Sequence, residues 1–169
     1  VGRNVHTGVD AQFAHGNYLA NQGIRPWWQH HLTEDASFTA IPEETRGPFE
    51  RGFSSKNKGI EFRRITDGLS NTVMLGEVRQ FPGRDARGLL YLGSAFYAHE
   101  FLPNMNAEDS LEWCTADPVP EAPCTTKHAG SRGPYRQTAS SNHPGGVHVL
   151  FCDGHVDFML DEMDLCAWR

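Results

Sequence analysis

Ser141-Asn142-His143-Pro144-Gly145-Gly146-Val147-His148-Val149-Leu150-Phe151-Cys152-Asp153-Gly154-His155-Val156-Asp157-Phe158-Met159 is the stretch whose reading decides the fold. Two apolar-rich runs flank Asp153-Gly154, and Asp-Gly readily takes the positive φ angles of a tight hairpin turn. The stretch therefore reads as an antiparallel β-hairpin with a two-residue loop. In that register Cys152 faces His155, Phe151 faces Val156, Leu150 faces Asp157, Val149 faces Phe158 and His148 faces Met159. Strand side chains alternate between faces, so Val147, Val149, Phe151, Val156, Phe158 and Leu160 share one wholly apolar side. His148, Leu150, Cys152, His155, Asp157 and Met159 share the other. A slip of one residue mixes the two sets, which favours this pairing.

Outward from the hairpin, the remaining chain is loop-rich. It has 169 residues, 38% of them hydrophobic, with 17 Gly and 10 Pro, a composition that favours strands and loops over a helical bundle. One domain covering residues 1–169 is the simplest reading at this length. A net charge of -6 gives no basic footprint for nucleic acid. No run approaches the ~18 consecutive apolar residues of a spanning helix.

Val73-Met74-Leu75-Gly76-Glu77-Val78 is an apolar run read as a buried strand, entered through a turn at Thr66-Asp67-Gly68. Asp67 is expected to bond backbone amides two residues on, and Gly68 to relieve the backbone. Gly59 to Ile65 alternates apolar and polar residues, predicting a strand that buries Ile60 and Phe62. Leu89 to Ala98 predicts another strand or two, and Phe13, Tyr18 and Leu19 seat a short strand near the sheet edge. Asn106 to Trp113 carries an N-cap and an acidic first turn, predicting a short helix. Residues 33–58 read as a long surface excursion, anchored at Gly47-Pro48-Phe49 and Gly52-Phe53. Leu160 to Arg169 is read as an acidic terminal turn whose Leu165 and Trp168 pack back.

His143, nine residues, then Asp153-Gly154 resembles the signature of the H-X9-DG family, the prepilin-processing-associated, pseudopilin-like proteins of planctomycete-type bacteria. Ile65-Thr66-Asp67-Gly68-Leu69-Ser70-Asn71-Thr72-Val73-Met74-Leu75-Gly76-Glu77 is similar to that family's other typical segment, and Gly16 to Gly23 is a weaker third. The resemblance marks His143, Asp153, Gly154, Asp67, Gly68, Asn71 and Glu77 as motif positions. It implies an α+β, pilin-like globular domain dominated by an antiparallel sheet, with long loops and few short helices. Members of that family begin with a prepilin leader and a long apolar helix. Neither is present here, so a processed or truncated chain lacking the filament-forming helix is expected.

The resemblance also implies a periplasmic or extracellular, envelope-associated location, where disulfides are the default for four cysteines. Of three pairings, Cys114 with Cys124 closes a short Pro-rich loop and is preferred, which leaves Cys152 with Cys166. No C-x2-C pair supports a metal site built of cysteines.

For chemistry the chain offers His and carboxylates but no G-x-S-x-G, H-E-x-x-H, P-loop or dinucleotide fingerprint. Cys152 beside His155 has the residue types of an activated thiol, though a packed or disulfide-bonded cysteine is the commoner role. His148, His155 and Asp157 share a face but are spaced too far along the ladder for one cation. Asp109, Asp117 or Glu121 supply oxygen ligands for Ca2+, without EF-hand spacing. His143 or Asp153 is read as fixing backbone amides of the hairpin, or as capping a surface loop.

Trp27, Trp28 and Trp113 are candidate interaction residues, with core filling the alternative for the tryptophan pair. The expected function is a non-enzymatic envelope subunit, structural or accessory, that contacts other proteins in a pseudopilus or secretion assembly or on a larger membrane complex. The competing expectation is an extracytoplasmic domain that binds carbohydrate or a divalent metal.

Overall fold

The computed structural model describes residues 14–24, 27–28, 47–49, 60–82, 85–90, 95–115, 119–126 and 134–169. These residues form nine strands: β1 (Tyr18–Asn21), β2 (Trp27–Trp28), β3 (Val73–Glu77), β4 (Phe96–Tyr97), β5 (Asp109–Leu111), β6 (Cys124–Thr126), β7 (Pro134–Tyr135), β8 (Gly146–Phe151) and β9 (Val156–Leu160). One sheet has the order β4-β1-β3-β8-β9, and two small ribbons pair β2 with β7 and β5 with β6. The large sheet is mixed, because β1 runs parallel to β4 while its other neighbours are antiparallel.

The expected pilin-like α+β fold is not what forms. Among the described residues the helices are a 3-10 turn at Phe62–Arg64 and α1 (Leu165–Trp168), so the fold is mostly β. Two sequence readings fail for identifiable reasons. The alternating segment around Phe62 finds no strand partner, closes instead through Arg64 N–H to Glu61 O and Ile65 N–H to Phe62 O, and leaves Phe62 exposed. The predicted helix at Asn106–Trp113 is extended as β5, because parallel pairing with β6 and the Cys114–Cys124 disulfide hold it there. That disulfide is the expected one. The expected Cys152–Cys166 bond is absent: both thiols are free, Cys152 buried and Cys166 exposed on α1.

The hairpin forms, but its register differs by one residue from the expected one. Leu150 pairs with Val156, Val149 with Asp157, His148 with Phe158 and Val147 with Met159. The loop has three residues, Cys152-Asp153-Gly154, closed by Phe151 N–H to His155 O (2.9 Å) and Gly154 N–H to Phe151 O (3.0 Å). Gly154 at φ 95° takes the left-handed position such loops require. The extra loop residue sends Val156, Phe158 and Leu160 to the face opposite Val147 and Val149. Met159 joins the core instead.

Rows of paired residues run across the sheet. Leu19, Gly76 and Val149 form a core row, and Tyr18, Glu77, His148 and Phe158 form a row on the opposite face. The core gathers Leu19, Val73, Val78, Tyr97, Ala139, Val147, Val149, Phe151 and Trp168, all buried. Gly76 is glycine because Tyr97 lies flat against it: a Cβ there would stand 2.6 Å from the tyrosine ring. Expected core filling by Trp168 is met.

Buried polar groups tie the loops onto this core. Arg87 forms a bidentate pair with Asp85 through Nε (2.8 Å) and Nη2 (2.7 Å), and lies over the Phe81 ring. Asp85 also accepts from Thr115 N–H, so both carboxylate oxygens are satisfied. Burial raises the Asp109 carboxyl to about 7, against the Thr138 N–H it accepts and then the Arg87 charge. His99 stacks on Trp168, accepts from the Tyr97 hydroxyl at Nδ1 (2.9 Å) and donates from Nε2 to the Trp168 carbonyl (2.5 Å). A carbonyl can only accept, which fixes the neutral tautomer. Burial lowers the His99 imidazole from 6.5 to about 4.

Two expected outcomes follow from these features. Nothing lies within 4 Å of a Cβ built at Gly154, so only backbone conformation opposes substitution there. Gly154→Val should cost about 1–2 kcal/mol in denaturant unfolding and Gly154→Asn distinctly less, because Asn tolerates positive φ. The second concerns acid. His99 stays neutral in the fold, so its contribution is complete above pH 6.5 and is lost as pH falls toward about 4, where the unfolded chain takes up the proton first. Asp109 has the opposite sign: its contribution is complete below 3.8 and is lost as pH rises through about 7. Stability of His99→Phe relative to the parent should therefore improve between pH 6.5 and 4, and that of Asp109→Asn should worsen over the same interval. Parallel stability–pH curves for parent and variants would contradict both assignments.

Candidate functional site

β3 ends on Glu77, and β8 carries His148 directly beside it in the sheet row that faces away from the core. The Glu77 side chain is only 10% exposed, yet it sits among apolar neighbours and needs donors. Its Oε2 accepts the His148 backbone N–H at 3.0 Å, and its own carbonyl accepts Ser140 N–H at 2.8 Å. The His148 ring places Nδ1 3.5 Å from the same oxygen. His143, from the loop before β8, places Nε2 3.2 Å from Oε1. One donor atom from each of Glu77, His143 and His148 lies within 4.8 Å of the others.

The loop that delivers His143 is held at several points. Ser141 Oγ donates to Gly146 O (2.6 Å) and accepts His143 N–H (3.0 Å), while Asn104 Oδ1 accepts Ser141 N–H (2.7 Å). Asn104, at φ 52°, is itself fixed by its side-chain amide donating to Asp161 (2.8 Å). The two imidazoles meet edge to face at 4.9 Å, and Phe158 from β9 meets His148 at 4.9 Å and His143 at 6.4 Å. On the other side of Glu77 stands Tyr18, whose hydroxyl is raised first by burial and then by the Glu77 carboxylate. The cluster is thus a buried carboxylate with two partly exposed imidazoles on an otherwise apolar sheet face.

Two sequence motifs meet here. Glu77 closes the Ile65–Glu77 segment and His143 opens the His143–Gly154 segment, and β3 and β8 run antiparallel so that these ends coincide. At the opposite end Cys152 N–H bonds to Thr72 O (2.9 Å), beside the Asp67–Thr72 turn. In that turn Gly68 takes φ 93°, and Asn71 donates from its side chain to Asp67 O (2.9 Å). The Asp67 contact runs through its carbonyl, not through the expected carboxylate bonds to downstream amides.

Asp153 and Gly154 stay at the hairpin tip, away from His143. Asp153 Oδ1 accepts His155 N–H (3.1 Å) and meets His155 Nδ1 (2.6 Å), which pulls its carboxyl below the usual range. His155 is further committed by stacking on Phe151, so it does not serve Cys152. Burial and then Asp153 push the Cys152 thiol up, the direction opposite to that of a reactive thiolate.

Asp109 is buried with Arg87 3.9 Å away, Glu121 is exposed, and Asp117 lies outside the described residues. Trp113 is half-buried with its carbonyl accepting Ala86 N–H (2.9 Å). The side chains of Trp27 and Trp28, and most of the 33–58 excursion, also lie outside the described residues. Gly47 and Phe49 do anchor it, through N–H bonds to Gln22 O and Asn21 O (both 3.2 Å).

Sequence reading named His143 and Glu77 but missed that His148 completes a cluster with them. Its only signal was the placement of the two motif ends, which becomes spatial once β3 and β8 pair. No helix among the described residues is long and apolar enough to cross a membrane. No curated protein and no solved structure matches the chain. A family model described as "Protein of unknown function (DUF1559)" matches residues 26–165, which spans both motif segments and every residue of the Glu77–His143–His148 cluster. The chain belongs to that DUF1559 family.

Proposed function

We propose that this chain is a non-enzymatic, extracytoplasmic subunit of the cell envelope, of the H-X9-DG prepilin-processing-associated kind, that binds another envelope protein across the open face of its large sheet. The observation that carries this reading is the character of that face. Ala20, Leu75, Leu150 and Val156 form one row on it, with Tyr18 and Phe158 in the next and Leu160 beyond. Tyr18, Val156 and Leu160 are 45%, 61% and 58% exposed. Val156 and Leu160 flank Phe158 along β9, so exposed apolar side chains are grouped on that strand, and grouped apolar surface marks a contact site where isolated exposed residues do not. It lies partly on β9, an edge strand of the sheet.

The Cys114–Cys124 disulfide supports an oxidising compartment, periplasmic or extracellular. The spacing of His143 and Asp153-Gly154, together with the Asp67–Glu77 segment, supports the H-X9-DG assignment. The mechanism is recognition by shape and apolar burial, with Val156 and Leu160 as anchors.

Val156→Glu and Leu160→Glu test it, since exposed positions of this kind usually change stability by no more than about 0.5 kcal/mol. Tagged full-length chain, crosslinked in the native envelope, should capture a defined envelope protein, and the double variant should lose at least about tenfold of that capture with unchanged thermal unfolding. Equal capture by parent and double variant, or fractionation of the chain with reduced cytoplasmic proteins, would overturn the proposal.

A further inference from the structure

Glu77, His143 and His148 have a donor set that ion pairing alone does not explain. Glu77 is already satisfied at Oε2 by the His148 amide, yet two further nitrogens converge on the carboxylate, one of them at 3.5 Å, beyond ordinary hydrogen-bond length. We propose that these three residues form a binding site for a divalent transition-metal ion of the zinc class.

The chemistry of the donors selects the ion. Two imidazoles and one carboxylate suit zinc and its neighbours nickel and copper, whereas calcium and magnesium demand mostly oxygen ligands. Three protein ligands with one position left to water is the arrangement of an open zinc site. Size agrees as well. Metal–ligand bonds of about 2.0–2.1 Å in a tetrahedron place donors roughly 3.3 Å apart. His143 Nε2 lies 3.2 Å from Glu77 Oε1 and His148 Nδ1 3.5 Å from Oε2, and one donor atom from each of the three residues falls within 4.8 Å of the others. The His143 side chain is 52% exposed, which leaves its ring room to adjust toward a shared ion.

The fold pre-positions two of the ligands. Glu77 and His148 sit on adjacent paired strands, and the Glu77 carboxylate is oriented by a backbone N–H, the kind of supporting bond that tunes metal ligands. The His143 loop is pinned through Ser141 and Asn104. Phe158 shields one side of both rings, while their partial exposure leaves an entry path.

The test uses the purified full-length chain, disulfide intact, stripped with chelator and titrated calorimetrically with Zn2+, then with Mg2+ and Ca2+. One Zn2+ per chain should bind, accompanied by a rise in thermal midpoint, and neither hard ion should compete. His143→Ala, His148→Gln and Glu77→Gln should each weaken Zn2+ at least about tenfold, as loss of a ligand does. His143→Ala is the decisive variant, because its partly exposed side chain can be removed without unfolding the protein, which an unchanged metal-free thermal midpoint verifies. Addition of paramagnetic Co2+ should broaden the His143 and His148 ring signals selectively. Failure of the parent to bind Zn2+ at micromolar concentration, or Zn2+ binding that His143→Ala and His148→Gln retain in full, overturns the site. Because no partner protein enters this assay, its outcome is separate from that of the envelope-binding reading.

Discussion

The antiparallel pairing of β3 with β8 is the constraint on which the rest of this structure depends. It joins residues more than seventy positions apart, sets Val73 against Phe151 and Gly76 against Val149 on the core side, and places Glu77 beside His148 on the other. β1 pairs with the free edge of β3, and β9 with that of β8. Every row of the large sheet is therefore read out from that one register. A slip there would exchange the two faces and bury Glu77 in the apolar core, a conformation opposed by the cost of desolvating a carboxylate.

The core built on this pairing is modest, and polar groups do much of the loop attachment. Tyr97 fits over Gly76, and its hydroxyl passes to His99, which in turn holds the Trp168 carbonyl and stacks on the indole. The short C-terminal helix is thereby fastened by this imidazole together with the Trp168 indole N–H, which donates to the Phe101 carbonyl (2.8 Å). Asp85 and Arg87 act similarly for the segment that includes Thr115 and Ala122. Fully satisfied buried pairs of this kind are weak sources of net stability but strict about geometry, since removing one partner strands the other. The opposite acid responses of His99 and Asp109 belong to the same economy of polar groups placed out of water.

On the far face, the same register gathers a polar cluster in an apolar setting. Glu77 and the two imidazoles occupy the row between Tyr18 and Phe158, next to the row of Ala20, Leu75, Leu150 and Val156. Surface for contact and ligands for an ion are therefore neighbours, although each rests on different residues. Membership in the DUF1559 family covers both motif segments, and the structure gives those segments a physical relation: they lie side by side along β3 and β8, touching at both ends.

Much of this was legible along the chain. Asp67-Gly68 and Asp153-Gly154 announced turns because glycine alone takes positive φ without strain, and both glycines do so at 93° and 95°. The apolar run at Val73–Glu77 announced a strand, and the Pro-rich loop its disulfide. The hairpin register was not legible: Asp-Gly favours a two-residue loop, yet its glycine also serves the left-handed position of a three-residue one, and the choice between them moved Val156, Phe158 and Leu160 to the other face. Nor was the extension of Asp109–Leu111, where an N-cap signal yielded to a parallel partner and a covalent tie. Turn chemistry and periodicity act within a few residues, so sequence alone determined where this chain bends and which runs extend. Which strand lies beside which, and hence that Glu77 meets His143 and His148, was decided only in the assembled sheet, because that choice minimises the free energy of all its rows together.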